Sequence, residues 1–215
     1  MNPGVFISFE GSEGCGKSTQ IKLLTNLLKD CGQKVIVTRE PGGTVVGEKI
    51  RDLLQFTPEA KDMTDESELL LFAASRAQLV RQVIRPSLEQ GIWVIADRFF
   101  DSTTVYQGIG RGLSADKVDQ INRFAVGETM PNWTLLLDMD AEAGHARAVK
   151  ARGAKQKDRI EDQPMDFFQR VREGYLTIAK SEPERIEVID ASLSIDEVAA
   201  NIQEACLSRF EWLTK

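Results

Sequence analysis

The chain contains few of the residues that build disulfide-rich or metal-binding proteins. Its 215 residues include only three cysteines, Cys15, Cys31 and Cys206, and a single histidine, His145. The cysteines form no close pair of the kind found in zinc sites, and their odd number is unlike a disulfide scaffold. We therefore expect a reducing compartment, the cytoplasm, and we assign His145 no role.

Long apolar runs and an excess of positive charge are also missing. No stretch approaches the ~20 apolar residues that a membrane span needs, and the first strand-like run, Val5–Phe9, follows no basic leader. The chain has 27 Lys and Arg residues against 33 Asp and Glu, a net charge of −6. Bulk charge therefore does not favour nucleic acid as a partner, and any phosphate group must be met by a few placed cations.

Short apolar runs alternate with helical segments along the whole chain, whose composition of 42% hydrophobic and 28% charged residues is typical of one globular domain, residues 1–215. The alternation predicts an α/β fold in three layers, a five-stranded parallel sheet flanked by helices. The predicted strands are Val5–Phe9, Val35–Thr38, Trp93–Ala96, Thr134–Asp138 and Glu187–Ile189. The predicted helices are Lys17–Cys31, Gly47–Leu54, Glu66–Glu89, Ser114–Val126, Ala141–Lys150, Pro164–Ser181 and Ser194–Leu213. Ligands of such sheets bind beyond the carboxyl ends of the strands.

A phosphate-binding loop (P-loop) pattern follows the first predicted strand and leads directly into a helix. Its glycines allow backbone N–H groups to surround phosphate oxygens, and the helix N-terminus adds partial positive charge. Lys17 is expected to reach the β- and γ-phosphates of ATP and Ser18 to bind Mg²⁺, while Cys15 is expected only to fill space. The predicted ATP-binding residues are Gly11, Ser12, Glu13, Gly14, Cys15, Gly16, Lys17, Ser18 and Thr19.

Charged residues follow the second and third predicted strands. The second ends in a turn that contains Glu40, and the third ends in Asp97 and Arg98. At this edge of the sheet Asp97 could bind Mg²⁺ and Arg98 could bridge two phosphates. The alternative is that Asp97 and Arg98 form a mutual ion pair that closes the sheet edge.

The long predicted helix carries an arginine, Arg76, in phase with its apolar face. A buried charge is costly unless it is paired, so a ligand could be its partner. Phe72 lies one turn earlier on the same face, which would place an aromatic plane beside a hydrogen-bond donor, as in a pocket for a nucleobase. Alternatively Phe72 belongs to the core and Arg76 forms an internal salt bridge.

Two polar segments add candidate ligand contacts. Residues 101–108 are rich in hydrogen-bonding side chains and could contact a base and a sugar, or form an ordinary polar loop. A basic segment in this acidic chain carries Arg152 and Arg159, and we expect a lid at about residues 147–161. Because Lys17 is the one cation of the P-loop, arginines from a closing lid could neutralise the transferring phosphoryl group. The alternative is a solvated charged face.

Five strings occur in the order and spacing that resemble the thymidylate kinase family, over nearly the whole chain. They are FEGSEGCGKST, TREPGGT, LFAASRAQ, DRFFDSTTVYQG and DRIE. The first is shared by many nucleotide-binding enzymes, whereas LFAASRAQ and DRFFDSTTVYQG are specific to this family. The glutamate in the P-loop of this chain, Glu13, and the basic lid resemble the bacterial variant of the thymidylate kinase family.

The resemblance implies roles for single residues. Phe72 would stack on thymine, Arg76 and Gln107 would hydrogen-bond the base beside Thr103, and Tyr106 would contact the sugar. Arg51 and Arg98 would hold the acceptor phosphate, with Glu13 near the 3′-hydroxyl and Glu40 as a further substrate contact. Lys17, Arg98, Arg152, Arg159 and Glu13 are the candidate catalytic residues, and a homodimer is the family habit.

The reaction implied is transfer of the γ-phosphoryl group of Mg-ATP to dTMP, which gives dTDP and ADP. No protein nucleophile is needed, because the acceptor phosphate is already anionic and catalysis is mainly positioning and charge neutralisation. Two alternatives remain open at this point. One is a kinase of the same fold for another small molecule, and the other is a nucleotide-dependent switch that binds a protein partner.

Overall fold

The core of the protein is one parallel sheet. A computed structural model describes residues 4–152, 159–160 and 163–214. The strands are β1 (Phe6–Glu10), β2 (Val35–Arg39), β3 (Trp93–Asp97), β4 (Trp133–Asp138) and β5 (Ile186–Asp190). All are parallel, in the order β2-β3-β1-β4-β5. This arrangement confirms the predicted fold class and the position of every predicted strand.

Helices cover both faces of this sheet because its central strands are apolar on both sides. The α-helices are α1 (Lys17–Asp30), α2 (Val45–Gln55), α3 (Asp65–Leu79), α4 (Arg85–Glu89), α5 (Phe100–Thr103), α6 (Ala115–Val126), α7 (Ala141–Arg152), α8 (Met165–Ser181) and α9 (Ile195–Arg209). Ile7 and Ile95 pack with α1 and α9 on one face, whereas Phe6 and Val94 pack with the long helical segment that contains α3 on the other. The result is a three-layer sandwich.

The long helix predicted over Glu66–Glu89 forms, but it widens in the middle. A π-helical turn, Val80–Ile84, joins α3 to α4, and the Arg85 N–H donates to the carbonyl of Val80 five residues back. Pro86 follows at once. Because proline has no N–H and its ring clashes with the carbonyl four residues earlier, a regular α-helix cannot continue unchanged through this point.

The polar segment after β3 is helical, which the sequence pattern did not predict. Helix α5 is followed by a π-helical stretch, Thr104–Gly110, that includes Tyr106 and Gln107. A π-helix is uncommon and often occurs at functional sites. Short 3₁₀ helices, Pro58–Asp62 and Glu211–Thr214, complete the described elements.

The register of the sheet brings the predicted site residues to one edge. Phe9 and Arg39 both pair with Asp97. The P-loop, the turn that begins at Glu40, and Arg98 therefore leave the sheet at the same level.

The predicted lid begins inside helix α7, which extends to Arg152. The side chain of Arg152 and residues 153–158 and 161 lie outside the described residues. Among the residues that the structure describes, no helix is long and apolar enough to cross a membrane.

Candidate active site

A cavity of about 880 Å³ lies beyond the carboxyl ends of the strands, between the P-loop, α3, the π-helical stretch after α5, and α7. Most of the residues that the sequence predicts to bind ATP or the acceptor line this cavity. Predicted residues that line it are Glu13, Gly14, Cys15, Gly16, Lys17, Ser18, Thr19, Glu40, Arg51, Phe72, Arg76, Asp97, Arg98, Thr103, Tyr106 and Gln107. Gly11 and Ser12, the first residues of the P-loop, are buried and do not line the cavity.

The P-loop has the backbone conformation that its glycines allow. Gly14 (φ 74°) and Gly16 (φ 91°) adopt left-handed angles, and α1 starts at the next residue, Lys17. A Cβ on Gly14 would lie 2.0 Å from the carbonyl oxygen of Gly144 in α7, so only glycine fits there. The loop is thus packed closely against α7.

The Lys17 ammonium group donates hydrogen bonds to the carbonyls of Gly11 (3.0 Å) and Ser12 (2.8 Å) at the mouth of the loop. The Cys15 thiol is buried and donates to the Ser12 carbonyl at 2.9 Å. The space-filling role of Cys15 stays a prediction. A phosphate entering the loop would compete with these carbonyls for Lys17.

The predicted Mg²⁺ ligands lie side by side. The Ser18 Oγ donates to Asp97 Oδ2 at 3.5 Å, and both side chains line the cavity. A hydroxyl and a carboxylate are hard oxygen donors of the kind that Mg²⁺ prefers, usually with waters and substrate phosphates completing the shell. The donor set therefore fits this ion.

Arg98 is held by hydroxyl groups and not by Asp97, so the ion pair considered from sequence is not formed. Its guanidinium group donates to Ser102 Oγ (3.1 Å), Tyr175 Oη (3.2 Å) and Tyr106 Oη (3.2 Å). Arg98 has a left-handed backbone (φ 71°), which is rare outside glycine and costs free energy that the surroundings must supply. These contacts aim the guanidinium group at the cavity.

Arg76 has internal partners, as in the alternative considered from sequence, and it also lines the cavity. It is 1% exposed and donates to Glu40 Oε2 (2.7 Å), Asn122 Oδ1 (2.9 Å) and Thr103 Oγ1 (2.7 Å). These three bonds use one hydrogen on each guanidinium nitrogen and leave two further N–H groups. Burial raises the pKa of Glu40 to about 7 although Arg76 lowers it.

Other residues predicted to bind the acceptor line the same cavity as Arg76. Phe72 is half-buried and exposes part of its ring to the cavity. Arg51 donates to the Pro41 carbonyl at 3.1 Å. The amide Nε2 of Gln107 donates to Glu68, a buried carboxylate that does not line the cavity.

The whole chain was compared with known proteins. The family model described as thymidylate kinase matches residues 9–202. The chain belongs to the thymidylate kinase family. The thymidylate kinase of Symbiobacterium thermophilum is 48% identical over 93% of this chain and 91% of its own length. That of Geobacter sulfurreducens is 44% identical over 96% of this chain and 98% of its own.

A solved structure agrees with this assignment. The crystal structure of thymidylate kinase from Ehrlichia chaffeensis superposes with a TM-score of 0.78 at 35% identity, and the match covers 95% of this chain and 100% of that one. The protein is therefore a kinase whose substrates are ATP and dTMP, which confirms the activity inferred from the sequence strings.

The protein has a buried carboxylate, Glu10, next to the residues that hold Arg98, and the sequence analysis missed it. Its Oε1 accepts from the Phe99 N–H (2.7 Å), and its Oε2 accepts from Ser102 Oγ (2.6 Å) and Tyr175 Oη (2.9 Å). Burial and the charge of Asp101 raise the pKa of Glu10 to about 7, although the hydrogen bonds from Ser102 and Phe99 and the charge of Arg98 lower it. The local sequence around Glu10 could not reveal these contacts, because Tyr175 comes from the distant helix α8.

Of the two predicted lid arginines, Arg159 is the one whose side chain the structure describes. Arg159 does not line the cavity: it donates to the Leu54 carbonyl (3.2 Å) and to Glu68. Arg147, on α7, does line the cavity and donates to the Ala191 carbonyl at 3.3 Å. The sequence offered one signal for the position of Arg147: it lies on the predicted helix Ala141–Lys150, where the basic segment begins. Catalytic roles for Arg152 and Arg159 stay predictions.

Proposed function

We propose that the kinase joins its two substrates in line within the single cavity and transfers the γ-phosphoryl group of Mg-ATP directly to the phosphate of dTMP. The observation that carries this proposal is the opening of the P-loop and the Phe72 pocket into the same space. An acceptor-phosphate oxygen forms the new P–O bond while the bond to the β,γ-bridging oxygen breaks. The bonding electrons leave with ADP, and no covalent enzyme intermediate is required.

At the donor end, we assign ATP to the P-loop and the start of α1. Lys17 would exchange the Gly11 and Ser12 carbonyls for phosphate oxygens, which are better partners for an ammonium group. Ser18 and Asp97 would hold Mg²⁺, which neutralises phosphate charge when it is bound. Arg147 lies at the rim of the same cavity, where a cation can contact ATP.

At the acceptor end, we assign the thymine ring to the face of Phe72 and its hydrogen bonds to Arg76 and Gln107, beside Thr103. The two N–H groups that remain on Arg76 are enough for a carbonyl oxygen of the base. Tyr106 lies between the base pocket and Arg98, where a sugar would fit.

Charge neutralisation at the acceptor phosphate is assigned to Arg98 and Arg51, with Glu13 near the sugar hydroxyl. Arg98 is the best prepared of these cations, because three hydroxyl oxygens already fix its guanidinium group. A preorganised cation stabilises charge in the transition state without reorganising at the moment of reaction.

We also propose a cytoplasmic homodimer. Helices α2, α3 and α6 lie side by side and carry outward-facing Leu53, Leu70 and Phe124, the last of these 81% exposed. A second copy that packs on this face would remove these side chains from water, a gain of roughly 25 cal/mol per Å² of apolar surface.

The direct test is to measure ADP formation by the purified chain with ATP, with and without dTMP, and with EDTA as a check on Mg²⁺. We expect ADP release to require both dTMP and the metal. Equal release without any nucleoside monophosphate would instead indicate a nucleotide hydrolase. Product analysis should show dTDP in the same amount as ADP.

A further inference from the structure

Glu68 lies on α3, one helical turn before Phe72, in a buried cluster behind the base pocket. Its carboxylate is 1% exposed and accepts from Gln107 Nε2 at 2.7 Å. It also accepts from the guanidinium groups of Arg111 (3.2 Å) and Arg159. Glu68 is absent from the predicted site and does not touch the cavity itself.

The surroundings keep Glu68 ionised. Burial raises its pKa, but the hydrogen bond from Gln107 and the charges of Arg111 and Arg159 outweigh burial, so the pKa lies below its ordinary value. An ionised carboxylate only accepts hydrogen bonds. The group of Gln107 that faces Glu68 must therefore be the NH₂ group, which settles the orientation of an amide whose oxygen and nitrogen are otherwise hard to tell apart.

The opposite edge of the Gln107 amide is its oxygen. Among the described residues no group donates to this Oε1, and it is not one of the buried unpartnered side-chain oxygens, unlike Oε1 of Gln20 and of Gln55. Gln107 lines the cavity together with Phe72 and Arg76. The amide therefore presents an acceptor to whatever occupies the pocket.

We propose that Glu68 is a positioning residue for base selection: by fixing the amide of Gln107 with its oxygen toward the pocket, it selects a base that offers a ring N–H there. Thymine and uracil carry a hydrogen on N3, whereas N3 of cytosine is an acceptor. Cytosine would set two acceptors against each other, and an unmet polar group in a buried site is costly. This inference rests on the proposed placement of the thymine ring against Phe72.

The test is the isosteric variant Glu68→Gln, in which an amide at position 68 both donates and accepts and allows Gln107 to turn over. We expect the ratio of kcat/KM for dTMP to kcat/KM for dCMP to fall by about tenfold or more, since sites that match a substrate N–H discriminate strongly. The dTMP to dUMP ratio should stay within about twofold, because uracil and thymine present the same N3–H and differ in a methyl group remote from Gln107.

The dUMP comparison separates this role from general loosening of the pocket, which would change both ratios. The matched control is Arg111→Gln, which removes a charge partner of Glu68 and leaves the contact between Glu68 and Gln107 in place; it should keep the parent's dTMP to dCMP ratio. Circular dichroism and thermal melting accompany each variant. If Glu68→Gln does not fold, Gln107→Leu removes the acceptor with the ion pairs of Glu68 intact, and must lower the same ratio.

The outcomes distinguish the two proposals. A parent enzyme that uses dTMP no better than dCMP overturns the proposed function and this inference together. A selective parent whose folded Glu68→Gln variant keeps the dTMP to dCMP ratio overturns the role of Glu68 alone. A Gln107→Leu variant that keeps this ratio overturns the base contact assigned to Gln107 and the role of Glu68 with it. A fall in that ratio with dUMP use unchanged relative to dTMP supports it.

Discussion

Arg76 shows how one buried cation can serve both the fold and the ligand. Its bonds to Glu40, Asn122 and Thr103 tie α3 to the end of β2, to α6 and to α5. A second carboxylate oxygen, Glu40 Oε1, is buried and has no partner among the described residues. Removing Arg76 would leave the whole Glu40 carboxylate buried and unpaired.

We therefore predict that Arg76→Ala destabilises the ligand-free protein by about 3–5 kcal/mol, as expected when one partner of a buried ion pair is deleted. Thermal or urea unfolding measures this. The matched control is Arg170→Ala, which removes an exposed pair with Asp166 on α8 and should cost less than about 1 kcal/mol. If the Arg76→Ala variant and the parent have the same melting temperature, Arg76 does not stabilise the fold and serves only in ligand binding.

At the scale of elements, the P-loop depends on its contact with α7. The two meet through a pair of glycines: a Cβ on Gly144 would lie 2.8 Å from the carbonyl oxygen of Glu13, and Gly14 approaches Gly144 in return. No larger residue fits at either position without moving the loop. Helix α7 thus supports the loop from behind and carries Arg147 into the cavity at the same time.

We predict that Gly144→Ala raises KM for ATP by about tenfold, since overpacking costs roughly 1–3 kcal/mol and displaces the P-loop backbone. Steady-state kinetics at saturating dTMP test this. Gly108→Ala is the matched control, because a Cβ there meets nothing closer than 3.8 Å. If KM for ATP is unchanged in Gly144→Ala, the close contact between the P-loop and α7 is not needed for ATP binding.

At the scale of the whole molecule, helices α3 and α6, which pack against each other, expose apolar side chains to solvent. Leu70 of α3 is 56% exposed and Phe124 of α6 is 81% exposed. Burial of the exposed Phe124 ring would contribute most to the free energy of association, because aromatic side chains bury large areas in interfaces.

We predict that the parent elutes at about twice its chain mass of 24.0 kDa and that Phe124→Asp shifts it toward the monomer. Light scattering coupled to size exclusion at several concentrations provides the measurement. Leu23→Asp, on the exposed side of α1, adds the same charge elsewhere and should leave the mass unchanged. A parent that stays monomeric at high concentration contradicts the proposed homodimer.

The phosphate loop, the parallel sheet and the position of the site could be predicted from the sequence because each depends on neighbouring residues. The loop is a continuous motif between a strand and a helix, and the sheet follows from alternating patterns along the chain. Hydrophobic periodicity also placed Phe72 and Arg76 on one face correctly.

The tertiary structure alone decided what each charged group contacts. Arg76 bonds residues 36, 46 and 27 positions away, and Arg159 pairs with Glu68 at a separation of 91. Glu10 reaches Tyr175 across 165 residues. A hydrogen bond forms only within about 3 Å and along a set direction, so its partner depends on how distant elements pack, which no local pattern of residues encodes.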